Sequence, residues 1–489
     1  MRKWKNLAAP DDPTAWDDVL MMWPTSRGTY EVADFYTTTG GTLTATAEST
    51  TTLISSWALR AITDQRVFLI GNSIWEFPVG VLTDVSGALS KPIASTVANM
   101  TMYGDIAIVA RGTAATTIRQ TASGGAFAAL AGAPNARFAV VQSNALVLLN
   151  TGTSVDGWAA SDVGDYTNWS TGEYASGRIL ESNGPITDAV PFGNDIIVFK
   201  ETAIFRMTYV GGTVKWQVQK IFEGIGAQGV GRMKPALACG DLIFFRAPIG
   251  GDIGPSRERY YLFDGVSPPR LVNPETQLSS NSGAVGESYA CPVAYDPVER
   301  RVMLAYEDDT IGPYFYSIEA DAWGKGPTFT ASSRNTVMRG DYSALALVSD
   351  KSSLRSYFRG GTDLIILSGP VSPGGSTASP SSPASPYVIS HFYGQPDRKT
   401  DWTRLYPLLR RKTDASAGAP ATTCAVNLYR ERYATSADVA STKVGVIDPK
   451  RYRFNFQASD NYVQFALTFK DVDVEIDDIL VEGSLRGRE

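Results

Sequence analysis

From about residue 65 to residue 365, short apolar or alternating stretches recur, each bounded by Gly, Asn, Asp or Ser: "QRVFLIGNSIWEF", "GDIAIVARGTAATTIRQ", "SNALVLLNTGT", "GNDIIVFKETAIFRMTY", "GDLIFFRAPIGG" with "RYYLFDG", "ERRVMLAYEDD" with "YFYSIEADAWG", and "DYSALALVSDKSSLRSYFRG". Runs of this length between turn residues predict strands joined by tight hairpins, since Gly, Asn and Asp tolerate the positive φ such turns need. Units starting near Gly104, Ser143, Gly193, Gly240, Glu299 and Asp341 are about one four-stranded blade apart. Helical periodicity is not evident. Radial repetition protects the many strand edges, so the expected fold is all-β: a β-propeller of about six or seven blades, with a pair of stacked sandwiches as the alternative.

Outside the repeats the pattern changes. Residues 1–60 read as an N-terminal arm and first strands, and 61–367 as the propeller. Residues 368–387, "SGPVSPGGSTASPSSPASPY", offer too little apolar surface to offset ordering and predict a linker or exposed loop. Residues 388–489 return to strict alternation in "CAVNLYRERY", "RYRFNFQAS", "YVQFALTFK" and "VDVEIDDILVEG", which predicts a C-terminal antiparallel β-sandwich-like region.

Composition narrows the chemistry. The chain has 489 residues, 19% of them charged, and a net charge of −6, with no long basic run to grip nucleic acid. The tail from 388 holds 15 Lys/Arg and 14 Asp/Glu, so the net negative charge lies entirely before it. Three scattered cysteines, Cys239, Cys291 and Cys424, read as buried thiols in a reduced compartment. The basic start lacks an apolar segment behind it, and no run of about eighteen apolar residues predicts a membrane span. Synthesis in a cytoplasm is expected.

Catalytic and ligand motifs fare poorly. The single histidine, His391, cannot supply a zinc site with scattered cysteines, and no nucleophile elbow accompanies it. "GIGAQG", 224–229, matches a dinucleotide fingerprint, yet Gly231 and Pro235 interrupt the helix that fingerprint requires, and a turn between blades is the better reading. "WAASDVGDYTNWS", 158–170, resembles the Asp-box S-x-D-x-G-x-T-W of sialidase propellers, with Asp162 in place but Ala160 and Tyr166 at the Ser and Thr positions and Trp169 two residues late. Glycosidases also need paired carboxylates, and sialidases an arginine triad; Arg246, Arg257 and Arg259 are present without a pattern that converges them. The expectation is no enzyme, no cofactor and no metal.

The ordered set "NALVLLNTG", "DGWAASDVGDYTNWS", "ITDAVPFGNDIIVFKETAIFRMTY", "KIFEGIGAQGVGRMKPALACGDLIFFRA" and "RYYLFDG", about residues 135 to 275, resembles the propeller of tail nozzle or hub proteins of short-tailed bacteriophages. The final "YRFNFQASDNYVQFALTF…VEIDDILVEGSLRGRE" resembles that family's closing sheet. The resemblance implies a structural virion protein, made in the host cytoplasm and assembled as a ring, usually a hexamer, below the head-to-tail adaptor. Fibres, spikes or a needle are further partners, and genomic DNA meets the protein only in passing through the lumen. A conduit should not bind phosphate, because each cation bound to DNA adds affinity. In "DVDVEIDD", alternation puts Asp471, Asp473, Glu475 and Asp477 on one face, which makes them candidates for the channel lining; a solvent-facing or edge strand is the plainer alternative. In "RLYPLLRRK", Arg404, Arg410, Arg411 and Lys412 form a candidate subunit or adaptor interface, against a solvated patch. The N-terminal segment "WKNLAAPDDPTAWDDVLMMWPTSRG" reads either as an arm over a neighbour or as a cap on its own domain. A carbohydrate-binding or glycan-cleaving propeller, and a cytoplasmic protein-binding scaffold, are the alternative functions.

Overall fold

In the computed structural model the described residues are 16–20, 22–24, 30–32, 35–37, 55–60, 65–70, 73–77, 83–89, 98–228, 234–247, 259–272, 290–296, 300–306, 314–325, 338–340, 356–360, 363–367, 376–377, 387–390, 393–394, 400–411, 422–429, 439–445, 454–460, 462–469 and 474–485. All regular structure among them is β-strand.

Six successive sheets share one plan, four consecutive strands each antiparallel to the next. They lie within 55–84, 99–129, 136–178, 188–223, 236–271 and 290–325, here blades 1 to 6. The first strand of each blade packs against the first strand of the next: Ser55–Arg60, Asn99–Tyr103, Ala136–Gln142, Asp188–Phe192, Ala236–Cys239 and Ala290–Asp296. The ring is then closed by Met338–Gly340, which packs on the first strand of blade 6 and pairs in parallel with blade 1, Met338 opposite Ser56 and Gly340 opposite Ala58. The protein is therefore a β-propeller, with six blades among the described residues.

The second strands explain why the sequence reads as it does. "IAIVA", "ALVLLNT", "DIIVF" and "LIFFRA" are almost continuously buried, because each is covered on both faces by neighbouring blades. The apolar core lies between blades: Phe68, Met100 and Phe127 between blades 1 and 2, Leu146, Leu148 and Trp169 between 2 and 3, Phe138, Phe205 and Trp216 between 3 and 4, and Phe199, Phe245 and Tyr261 between 4 and 5. The repeat legible in the sequence falls on the turn between first and second strands. Gly104, Ser143, Gly193 and Gly240 have φ of 58, 51, 58 and 71°, and Asn144 at 56° gives the paired positive values of a two-residue hairpin. Glu299 lies outside the described residues, but its neighbour Arg300 has φ 47° at the same turn of blade 6. Asp341, also outside them, follows directly on the closing strand.

Strand alternation gives the ring two rims. Turns between second and third strands and the crossings between blades lie on one, the crossing rim; first-to-second and third-to-fourth turns lie on the opposite rim.

Three further sheets lie outside the ring. Trp16–Leu20, Tyr387–Ser390, Tyr462–Phe469, Thr422–Tyr429 and Val439–Gly445 form one, with Tyr393–Gly394 also paired to Tyr462–Phe469. Met22–Pro24, Tyr30–Val32, Val474–Leu485, Thr400–Arg411 and Phe454–Asp460 form the second. Together they are the C-terminal antiparallel sandwich, with Val426, Phe465, Leu405, Phe454, Ile476 and Ile479 buried. Its strands at three edge or near-edge positions come from the N-terminal segment, and Met22–Pro24 also packs on the outer strands of blade 6. The third sheet joins Ser356–Gly360 and Asp363–Leu367, expected as a further repeat, to N-terminal Phe35–Thr37 and to Ser376–Thr377 from the Ser/Pro-rich segment.

Candidate functional site

The Asp-box-like stretch leaves blade 3 after its third strand, Ser154–Ala160, and forms the opposite-rim loop before the fourth, Ala175–Arg178. Trp158 and Trp169 are buried on either side of it. The Asp162 carboxylate accepts hydrogen bonds from the backbone N–H of Val163 at 2.9 Å and of Glu173 at 2.7 Å, and from Asn168 Nδ2 at 3.1 Å. A Cβ on Gly172, φ 63°, would collide with that carboxylate. Asp165 accepts from Thr167 N at 2.9 Å and Oγ1 at 2.6 Å, and these bonds hold its carboxyl below the usual range. Neighbouring blades clamp the loop. Tyr103 of blade 2 donates to Asn144 O, which also accepts from Gly164 N, and Lys215 of blade 4 donates to Gly172 O and Tyr174 O. Both Asp162 oxygens thus serve the loop's own donors, and the motif acts as a tie across three blades.

The crossing rim concentrates buried charge near the axis. Asp188, the first residue of blade 4, is fully buried; its carboxylate meets Lys234 Nζ at 3.1 Å and accepts from Ala189 N at 2.8 Å and Ala236 N at 3.0 Å. Burial pushes the Asp188 carboxyl up, against the pull of the Lys234 ammonium and the two backbone donors. Lys234, of blade 5, also stands 5.9 Å from the Phe138 ring centroid of blade 3. Blades 3 and 5 are not adjacent, so this side chain reaches past Asp188 at the start of blade 4 towards the core between blades 3 and 4. A similar device links blades 2 and 3, where Asn99 Oδ1 accepts from Ala139 N at 2.8 Å. Farther out, buried Lys200 donates to Ile179 O and Ser182 O at 2.5 Å each, and desolvation lowers its pKa. Asp156, paired with Arg178 Nε at 2.8 Å and Nη2 at 3.0 Å, is held down to about 2, mainly by that hydrogen-bonded guanidinium.

The "GIGAQG" stretch opens no helix over its described residues 224–228. It crosses from blade 4 to blade 5, with Gly224 N on Thr202 O at 2.7 Å, Ala227 N on Lys200 O at 2.9 Å and Gln228 N on Arg246 O at 3.0 Å. A Cβ on Gly226 would strike the Lys200 carbonyl, so glycine is demanded by close backbone approach rather than by a phosphate. Of the arginines, Arg246 is buried and donates to Gln228 O at 2.6 Å. Arg246 pairs with Tyr260 and Arg259 with Ala247, so the two arginines point to opposite faces of blade 5; Arg257 lies outside the described residues. Cys239 is buried, and burial pushes its thiol far above the usual range.

The predicted charge clusters lie on neighbouring strands of the sandwich. Glu475 and Asp477 are on Val474–Leu485, and Arg404, Arg410 and Arg411 on Thr400–Arg411. Asp471, Asp473, Lys412 and His391 lie outside the described residues. The two strands pair with Arg410 directly opposite Glu475 and Arg404 opposite Glu482, the latter pair exposed and 3.2 Å apart. The register slips between Leu408 and Leu409, and Ile476 and Ile479 are both buried, so the alternation read from "DVDVEIDD" breaks just after Asp477. Sequence reasoning missed that stretches over sixty residues apart would lie side by side. Among the described residues no group of three or more His, Cys, Asp and Glu side chains is placed to hold a metal, and no helix is long and apolar enough to cross a membrane.

The fold and these ties define a β-propeller protein carrying a β-sandwich. No family model and no curated protein matches the chain. Solved structures similar to it include YCF48 bound to D1 peptide, 12% identical, covering 71% of this chain and 97% of that one with a TM-score of 0.40. BamB from Moraxella catarrhalis is 9% identical, covering 65% and 84% with a TM-score of 0.37. The Neurospora crassa Pan2 WD40 domain is 7% identical, covering 66% and 90% with a TM-score of 0.39. At such values the blade assignment rests on strand order and blade-to-blade packing in the chain itself.

Proposed function

We propose that this protein is a structural component of a virion, the tail nozzle or hub of a short-tailed bacteriophage, forming a ring of identical subunits below the adaptor. The observation that carries the reading is that the described parts of the resembling motifs fall on three consecutive blades, 3, 4 and 5, with the remainder on the last strands of the sandwich. The most enzyme-like motif supports a passive role, since Asp162 is consumed by loop amides and a neighbouring side chain. In this reading the genome passes through a lumen shared by the subunits, whose walls gain nothing from binding phosphate. Asp471, Asp473, Glu475 and Asp477 are the proposed lining, and Arg404, Arg410, Arg411 and Lys412 the proposed contact with the adaptor or a neighbouring subunit. Negative-stain imaging of the purified protein tests this directly. A ring or short tube of identical subunits is expected; discrete monomers that bind host glycans would instead favour a carbohydrate-binding propeller.

A further inference from the structure

Three Asp-Gly or Asn-Gly steps occur in the sequence: Asp156 with Gly157, Asn183 with Gly184, and Asp264 with Gly265. In such a step the backbone nitrogen of the glycine can attack the side-chain carbonyl carbon of the residue before it, because no Cβ obstructs the approach. A side chain tied by hydrogen bonds, or a glycine packed against its surroundings, is held away from that geometry.

Two of the three steps are tied. The Asp156 carboxylate accepts from Arg178 Nε at 2.8 Å and Nη2 at 3.0 Å, and a Cβ on buried Gly157 would stand 2.7 Å from Thr151 Oγ1. The Asp264 carboxylate accepts from Val266 N at 2.8 Å and Ser267 N at 2.7 Å, while buried Gly265 lies against Phe192 and its carbonyl accepts from Arg206. The third step is bare. Asn183 and Gly184 are both exposed, on the crossing from blade 3 to blade 4, and Gly184 has φ of 86° with nothing within 4 Å of a Cβ built on it. Among the described residues neither the Asn183 side chain nor the Gly184 N–H has a hydrogen-bond partner. The chain is anchored just outside this step. Ser182 O accepts from Lys200 Nζ at 2.5 Å, and buried Ile186 donates its N–H to Val155 O at 2.9 Å and accepts from Asn150 Nδ2 at 2.8 Å. Residues 183–185 alone lie between the two anchors.

We propose that Asn183 is a self-modification site, which loses its side-chain amide to water through a cyclic imide formed with Gly184. The Gly184 nitrogen gives its proton to solvent and bonds to Asn183 Cγ; the Cγ–Nδ2 bond breaks, and Nδ2 leaves as ammonia. Water then opens the ring. Addition at Cγ restores the peptide bond and leaves aspartate, whereas addition at the backbone carbonyl carbon leaves isoaspartate, with the chain running through Cγ. No electrons are exchanged, and water is the co-reactant. Either product adds one negative charge to the crossing rim, beside exposed Glu181. The longer backbone of isoaspartate is taken up between the anchors at Ser182 and Ile186, so the blades keep their packing. Copies of the chain thus diverge with age in rim charge and not in fold.

The test incubates the full-length folded chain in neutral buffer and follows the tryptic peptide from Ile179 to Lys200 by mass spectrometry, with isoaspartate counted by enzymatic methylation and charge by isoelectric focusing. The same peptide holds Asn194, also exposed but followed by Asp195, as an internal reference. Asn183 is expected to convert at least about tenfold faster than Asn194, and within about tenfold of its own rate in the urea-denatured chain. Asp264→Asn places a second Asn-Gly step where the fold ties it, and Asp156→Asn does the same at the other tied position; thermal midpoints confirm that each variant is folded. In the folded chain these steps should convert at least about tenfold more slowly than Asn183, and after denaturation at a similar rate. Asn183→Gln should abolish the change in charge, and fresh and aged wild type should share one thermal midpoint. Retention of the Asn183 amide as long as that of Asn194, or slowing of its loss by more than about tenfold on folding, would overturn the proposal. So would a tied step that reacts in a folded variant as fast as Asn183.

Discussion

The inner crossings of blades 3 to 5 and the sandwich place their charges in opposite ways, although the propeller's outer turns also carry exposed pairs such as Arg270 and Asp321. In blades 3 to 5, Asp188 and Lys200 are fully buried, and each is held by backbone groups of a neighbouring segment. In the sandwich, the described pair Arg404 and Glu482 stands about half exposed on both sides. A charge removed from water is costly unless its partners are in place, whereas an exposed pair gains little from water's screening. The difference teaches where charge holds the fold and where it is free to meet a partner.

The contrast can be broken most severely at the axis. Lys234→Met should leave Asp188 buried without its counter-charge and lower stability by about 3–5 kcal/mol at neutral pH in urea unfolding. Because burial raises the Asp188 carboxyl in the folded state, it takes up a proton more readily there than when unfolded, so the loss should shrink as pH falls. A loss that stays constant with pH would mean that packing against Phe138, not charge, is what Lys234 supplies. Gly226→Ala forces a methyl into the Lys200 carbonyl and should cost roughly 1–3 kcal/mol in the same measurement. Asp162→Ala removes three acceptor contacts from the opposite-rim loop and should cost about 1–2 kcal/mol, with faster amide exchange at Val163 and Glu173.

Smaller effects sharpen the picture. The Asp156 carboxyl, depressed in the fold to about 2, contributes stability that is complete above its unfolded pKa and is lost as pH falls towards 2. The gap in thermal midpoint between wild type and Asp156→Asn should therefore be steady at neutral pH and close below about pH 4. Arg404→Ala, at the exposed end of the contrast, should leave the thermal midpoint unchanged while remaining a probe of adaptor or subunit contact.

Much of the propeller was legible before the structure, because hairpin turns are a local matter: Gly104, Ser143, Gly193 and Gly240 mark the same turn in four blades through backbone conformations few residues tolerate. The crossing at 224–228 was legible for a different reason, since Gly231 and Pro235 exclude a helix there, while the close approach of Gly226 to the Lys200 carbonyl was not legible. What could not be read is long-range. Nothing in "MRG" signals that Met338–Gly340 pairs in parallel with Ser55–Arg60, since three residues carry no periodicity. The N-terminal strands pair with partners hundreds of residues away, and alternation reports which face is apolar but not which strand lies beside it. The Asp188 and Lys234 pair was invisible because neither residue breaks its local pattern.

Ring closure at Met338–Gly340 has a consequence for biosynthesis. Blade 1 is made before the other five blades, yet its inner neighbour is supplied only after some 280 further residues have been made. Until then the earliest hairpins must wait beside an unfilled seat, and completion of the circle is deferred until all six blades have been made.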